Sequence, residues 1–261
     1  MKTIALFCCL MIVAPAFNLL AEDTAPTAGG LKIGIIGDST VCDYPAGSKQ
    51  QGWGQLLPSY FSAQSQFLNM AEKGRSTKTF PAARWQKTLE FKPDFILIQF
   101  GHNDSHEKSH PEATDAATDF RENLKRYISE ARAAGAIPVL VTPVHRRTFD
   151  EAGHMTIELE PYANAMRDMA KKVNTPLVDL FAASGFFFES LGKEASEPLT
   201  MNTVSNADQP GKADYTHFTA KGAKAIAGLV ATELVKVDAR LAAQYLSPVA
   251  TASSAPEPAT P

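Results

Sequence analysis

The sequence predicts an α/β fold, a three-layer αβα sandwich around a central, mostly parallel sheet of five strands. Three observations carry this. Five short apolar runs recur along the chain, stretches with helical periodicity lie between them, and 261 residues at 44% hydrophobic and 20% charged are enough to bury one full core. Strands alternating with helices form βαβ units, whose right-handed crossovers give a parallel sheet covered on both faces.

The first run, Leu31 to Ile36, breaks at Gly37, as a buried parallel strand entering a turn does. Phe67 to Met70, Phe95 to Phe100, Ile137 to Val144 and Pro176 to Leu180 repeat the pattern. Between them Phe120, Leu124, Tyr127, Ile128 and Ala131 return at three- and four-residue spacing, and Gly135 stands where that helix should stop. A last helix is expected from about Thr219 to Val237, with Ile226, Leu229, Val230, Leu234 and Val237 as its packing stripe. In such sheets ligands bind outside the carboxyl ends of the strands, so the loops after the runs are where chemistry is expected.

The ordered domain should span residues 31–246. Before it, Lys2 precedes an uncharged stretch from Thr3 to Ala21, which reads as an export leader over residues 1–21. A retained anchor is the competing reading, but Pro15 and Asn18 interrupt the apolar run. Residues 22–30 read as a linker, and residues 247–261, rich in Pro, Ala, Ser and Thr, as a disordered tail. The expectation is an exported protein, periplasmic or secreted, monomeric and not held in a membrane once the leader is gone. Removal of the leader takes Cys8 and Cys9 and leaves Cys42 alone, so no internal disulfide is available. With 25 Lys and Arg against 28 Asp and Glu the chain has no basic footprint, and nucleic acid is not an expected partner.

Gly37-Asp38-Ser39-Thr40 follows the first run and puts Ser39 at the mouth of the sheet, on a turn leading towards a helix. A nucleophilic serine needs an exposed hydroxyl, a base for its proton and donors for the oxyanion. Alone, these four residues are equally ordinary turn and cap formers. Asp214-Tyr215-Thr216-His217, just before the last helix, offers a carboxylate to fix an imidazole and an imidazole to take the proton, although a surface Asp beside a helix-capping His has the same spelling. Candidate oxyanion donors are the Gly74 backbone in the segment from Asn69 to Ser76 and the Asn103 amide in Gly101-His102-Asn103-Asp104. The glycine-bearing motifs stand at the ends of successive predicted strands, which independent loops would rarely do.

These four blocks, in this order from about Leu31 to Leu241, resemble the SGNH or GDSL hydrolases. The resemblance implies a flavodoxin-like sandwich and an acyl-enzyme mechanism without metal or cofactor. It assigns Ser39 as nucleophile, Asp214 and His217 as the other triad members, and the Ser39 N–H, the Gly74 N–H and the Asn103 side chain as the oxyanion hole. Gly52-Trp53-Gly54, Gly74-Arg75-Ser76-Thr77 with Phe80, and Ile98-Gln99-Phe100-Gly101-His102-Asn103-Asp104 are similar to the rhamnogalacturonan acetylesterase-like branch. That branch implies deacetylation of pectin or related plant cell-wall carbohydrate. Glu72-Lys73 departs from it, since a small residue commonly stands beside that glycine.

Substrate contacts are expected from Trp53, by stacking on a sugar ring, and from Arg75, His102, His145 and Arg146. Core packing for Trp53 and a solvated basic cluster for His145-Arg146-Arg147 are the bland alternatives. His102, His106 and His110, four apart, would form a metal face on a helix, but Gly101, Asn103 and Pro111 favour a loop. Two other functions fit the same blocks: a lipid or thioester hydrolase of the same superfamily, and a carbohydrate-binding protein that has lost catalysis.

Overall fold

Each of the five apolar runs forms one strand of a single sheet: Lys32–Gly37 (β1), Gln66–Asn69 (β3), Phe95–Gln99 (β4), Ile137–Val141 (β5) and Leu177–Val178 (β6). The computed structural model describes residues 30–203 and 213–247, so the predicted leader, nearly all of the linker and the tail beyond Ser247 lie outside the described residues. Every pairing in the sheet is parallel, in the order β3-β1-β4-β5-β6. The order reverses between β1 and β4, and the carboxyl ends of those two strands therefore open the crevice where such folds bind ligands.

Strand period explains the two cores. Ile33, Ile35, Leu97, Val139 and Val141 point to one face, under Trp53–Leu56 (α1), Leu180–Ser196 (α5) and Ala220–Leu234 (α6). Their neighbours Ile36, Ile96, Ile98 and Leu140 point to the other, under Ala82–Glu90 (α2), Asp119–Ala133 (α3) and Glu160–Lys172 (α4). All nine strand side chains are fully buried, and each such aliphatic contributes roughly 1.5–3 kcal/mol by leaving water.

Helix ends follow the signals in the sequence. Gly135, at φ +83, follows α3, and the Ala136 N–H donates to the Ala131 carbonyl at 3.0 Å to close its last turn. Thr219 caps α6 by accepting from the Gly222 N–H at 3.2 Å. The run from Pro176 to Leu180 yields only two strand residues, because Asp179 accepts from the Ala182 N–H and starts α5 at Leu180. A short helix, Ala239–Gln244 (α7), ends the described chain.

A second, two-stranded sheet matters more for the site than its size suggests. Gln50–Gln51 (β2) pairs antiparallel with Phe218–Thr219 (β7), Gln51 facing Phe218. It ties the chain leaving the Ser39 turn to the chain leaving His217.

Candidate active site

Ser39 sits on the turn after β1, where the Val41 and Cys42 N–H groups both donate to the Asp38 carbonyl, at 3.2 and 3.0 Å. No long helix follows directly, contrary to expectation; an extended loop intervenes before the single turn of α1. Three contacts fix that loop: the Trp53 N–H donates to the Thr40 carbonyl at 2.9 Å, and the Asn69 amide donates to the Val41 carbonyl at 2.9 Å and to Asp43 Oδ1 at 2.7 Å. The Tyr44 hydroxyl adds a bond of 2.9 Å to the Ser39 carbonyl.

Across 178 residues of sequence, His217 Nε2 lies 2.8 Å from Ser39 Oγ. Its Nδ1 stands 2.9 Å from Asp214 Oδ2, and Asp214 Oδ1 accepts from the Thr216 and His217 N–H groups at 3.1 and 3.0 Å. With Nδ1–H donating to the carboxylate, Nε2 is left free to accept the serine proton. Burial pushes the Asp214 carboxyl up, but the hydrogen bond and charge of His217 with the two backbone donors outweigh it and hold the group at about 2. The arrangement can run acyl transfer: a hydroxyl nucleophile, an oriented base and a carboxylate that stays ionised.

Asn103 is the next member of the site, brought to it by the turn after β4. Buried Asp104 holds that turn, accepting from the Gly101 N–H at 3.1 Å, the Thr77 hydroxyl at 2.5 Å and the Thr114 hydroxyl at 2.9 Å. One Asn103 amide hydrogen is used on the Arg75 carbonyl at 2.9 Å, which leaves the second for an oxyanion. Gly74, at φ +70, precedes Arg75 in the same turn, a backbone geometry that favours glycine. Ser39, Asn103, Asp214 and His217 all line one cleft of about 460 Å³; Gly74 is not among its lining residues. Asn103→Ala is expected to lower kcat about 100- to 1000-fold while leaving the melting temperature near wild type, and a loss of less than about threefold would remove Asn103 from the oxyanion hole.

The predicted substrate residues divide. Arg146 lines the cleft, within 3.4 Å of Glu158, and His102 lines it too, although almost fully buried. Trp53 is wholly buried and donates its Nε1–H to Gln99 Oε1 at 2.7 Å, so it packs the core and is closed to a sugar ring. Arg75 is drawn away by Glu72, which accepts from its Nε and Nη2 at 2.8 and 2.6 Å and also pairs with Arg84. The departure at Glu72 thus braces the turn that carries Gly74. His145 lies flat on Phe181, ring centroids 3.8 Å apart, against Gly185 of α5, and burial pushes its imidazole down to about 4. It is a neutral core residue. The three histidines at four-residue spacing do not share a helix face, because the segment is a series of turns and His102 leaves the set for Asp38.

Two structural features were not read from the sequence. Beneath Ser39 runs a buried polar chain: Trp53 to Gln99, Gln99 Nε2 to the Thr40 hydroxyl at 2.8 Å, that hydroxyl to Asp38 Oδ1 at 2.7 Å, and Asp38 Oδ2 to His102 Nδ1 at 3.3 Å. Burial raises the Asp38 carboxyl, and His102 with Thr40 more than offsets it, leaving the group below its usual range. The signal was Gln99, one polar residue at the end of an apolar strand. Arg147, also buried, braces the triad loop: its N–H donates to the Tyr215 carbonyl at 2.8 Å, while its guanidinium lies 5.3 Å from the Tyr215 ring centroid and donates to Thr200 and Lys193.

The family model described as GDSL-like Lipase/Acylhydrolase matches residues 33–230. The chain is 40% identical over 200 residues to the probable rhamnogalacturonan acetylesterase YesY of Bacillus subtilis (strain 168), covering 76% of this chain and 89% of that protein. It is 38% identical over 209 residues to the rhamnogalacturonan acetylesterase RhgT of the same strain, covering 77% and 88%. Among solved structures, the crystal structure of the Bacillus subtilis protein YxiM superimposes with a TM-score of 0.69 at 31% identity, over 79% of this chain but 56% of that one.

Proposed function

Since the chain belongs to the GDSL-like lipase/acylhydrolase family and is a carboxylic ester hydrolase, we propose that it removes acetyl groups from plant cell-wall carbohydrate, rhamnogalacturonan foremost, through an acyl-enzyme on Ser39. His217 takes the serine proton as Oγ attacks the ester carbonyl. The Ser39 and Gly74 N–H groups and the Asn103 amide receive the oxyanion, His217 returns the proton to the leaving sugar hydroxyl, and water then clears the acetyl group by the same route.

The observation that carries the substrate class is the lining of the cleft. Around the triad it is lined by His102, His106, Arg146, Thr148, Glu158, Tyr215 and Thr216, with Ala213 as its one aliphatic member, groups suited to sugar hydroxyls, whereas an acyl chain requires an apolar groove. Tyr215 takes the stacking role expected of Trp53: it lines the cleft, and Arg147 fixes it from the other side. The choice of rhamnogalacturonan leans on the two Bacillus relatives. Export leans on the composition of residues 1–21; among the described residues no helix is long and apolar enough to cross a membrane.

Acetate release separates the readings. Acetylated rhamnogalacturonan is expected to be turned over with a kcat/KM at least about tenfold above acetylated xylan and above a long-chain 4-nitrophenyl ester, a gap of about 1.4 kcal/mol in transition-state binding. Preference for the long-chain ester would overturn the carbohydrate assignment, and equal use of xylan would overturn the narrower one.

A further inference from the structure

We propose that His106, His110 and Glu112 form a site for one divalent transition-metal ion of the zinc class at the mouth of the catalytic cleft. The segment after β4 is shaped by successive turns: the His106 N–H donates to the Asn103 carbonyl at 3.2 Å, His110 N–H to Glu107 at 2.9 Å and Ala113 N–H to His110 at 3.1 Å. Its far end is pinned back on its start, the Thr114 N–H donating to the Asp104 carbonyl at 2.9 Å. This closed loop turns two imidazoles and one carboxylate towards a common point.

Glu112 Oε1 lies 2.6 Å from His106 Nδ1 and 3.4 Å from His110 Nδ1, and the three ligand atoms fall within 4.8 Å of one another. The rings are tilted by 62° with centroids 5.4 Å apart, so they do not lie flat on each other. In a tetrahedral site with bonds of about 2.0–2.2 Å, neighbouring ligand atoms stand about 3.4 Å apart. The His110–Glu112 spacing already has that value. The His106–Glu112 contact is a hydrogen bond, and replacing its proton by an ion requires it to open by less than about 1 Å.

The chemistry of the donors selects the ion. Two imidazoles and one carboxylate suit Zn²⁺, Co²⁺, Ni²⁺ or Cu²⁺ and give Mg²⁺ or Ca²⁺ little. Side-chain exposures of 39% for His106 and 54% for His110 give an ion a way in, while Glu112, at 17%, supplies a better-anchored ligand.

Three protein ligands leave a fourth position open. His106 also lines the cleft that holds Ser39 and His217, so an ion bound to it stands at the edge of that cleft, where its open position could take a carboxylate oxygen of an acidic sugar. This last step rests on the carbohydrate reading above. The ion takes no part in ester cleavage.

Calorimetric titration of the full chain with ZnCl₂ at neutral pH tests the site without reference to activity. One equivalent is expected to bind with a Kd below about 10 μM, weakening at least about tenfold in His110→Ala and in Glu112→Gln, each checked for an unchanged melting temperature, with MgCl₂ giving no such binding. Zn²⁺ binding weaker than about 10 μM, or wild-type affinity in either variant, overturns the site. Zn²⁺ should then lower the KM for an acetylated galacturonate oligosaccharide in the wild type but not in His110→Ala, with no such change for 4-nitrophenyl acetate. Equal KM values for the oligosaccharide overturn the substrate contact. An enzyme that cleaves 4-nitrophenyl acetate but refuses the oligosaccharide sinks the carbohydrate reading and the substrate contact together, while the titration still decides the site.

Discussion

Ser39→Ala is expected to leave a folded protein whose kcat for 4-nitrophenyl acetate has fallen on the order of a millionfold, the scale seen when a serine hydrolase loses its nucleophile. The size follows from the geometry. Ser39 Oγ is the hydroxyl held 2.8 Å from the imidazole, so without it the base has no partner to activate and no acyl-enzyme can form. What survives is binding and the oxyanion donors. Stability should change by less than about 0.5 kcal/mol, because the hydroxyl is partly exposed and the buried chain beneath it runs through Asp38 and Thr40. His217→Ala should cost a similar factor and the double variant little more, since the two act as a unit. Residual turnover above about 1% in a properly folded Ser39→Ala protein would place the nucleophile elsewhere.

The fold was legible because burial is written in local pattern. All five apolar runs became strands, and Gly135 and Thr219 marked helix boundaries through their own backbone and side-chain chemistry. The meeting of Ser39 with Asp214 and His217 was legible for another reason: Asp214 and His217 stand close enough in sequence to share one turn, and that turn precedes a recognisable helix. What the pattern does not encode is which way a loop residue faces. His145, Arg146 and Arg147 are consecutive, yet one packs on Phe181, one reaches the cleft and one is buried beneath Tyr215. Those fates are set by α5 and by the triad loop, far away in sequence. Trp53 misled in the same way. Its flanking glycines serve close packing, since a Cβ at Gly52 would collide with the Cys42 carbonyl and one at Gly54 with that of Val41, and the tryptophan goes into the core with them. The spacing of His102, His106 and His110 has meaning only on a helix, and turn hydrogen bonds replaced His102 by Glu112.

Asp214→Asn is expected to lower kcat about 10⁴-fold with little change in KM, and the reason is the direction of one hydrogen bond. The Thr216 and His217 N–H groups donate to Oδ1 at 3.1 and 3.0 Å. In the amide variant the oxygen must stay on that side, which turns the NH₂ group towards His217 Nδ1. Nδ1 becomes an acceptor, the ring proton moves to Nε2, and the imidazole can no longer take the proton of Ser39. Asp214→Ala offers no such wrong donor, so it should lose no more than Asp214→Asn despite removing more of the side chain; a much more active Asn variant would show that holding the ring in place, not fixing its tautomer, is the working quantity. The pH dependence separates these further. The folded carboxyl titrates at about 2 against an ordinary 3.8, so its contribution to stability is complete above about pH 4 and is lost as the pH falls towards 2. Loss of activity on acidification between pH 8 and 4 therefore comes from a group other than Asp214. Turnover by Asp214→Asn within about tenfold of wild type at neutral pH would dismiss the carboxylate as the orienting member of the triad.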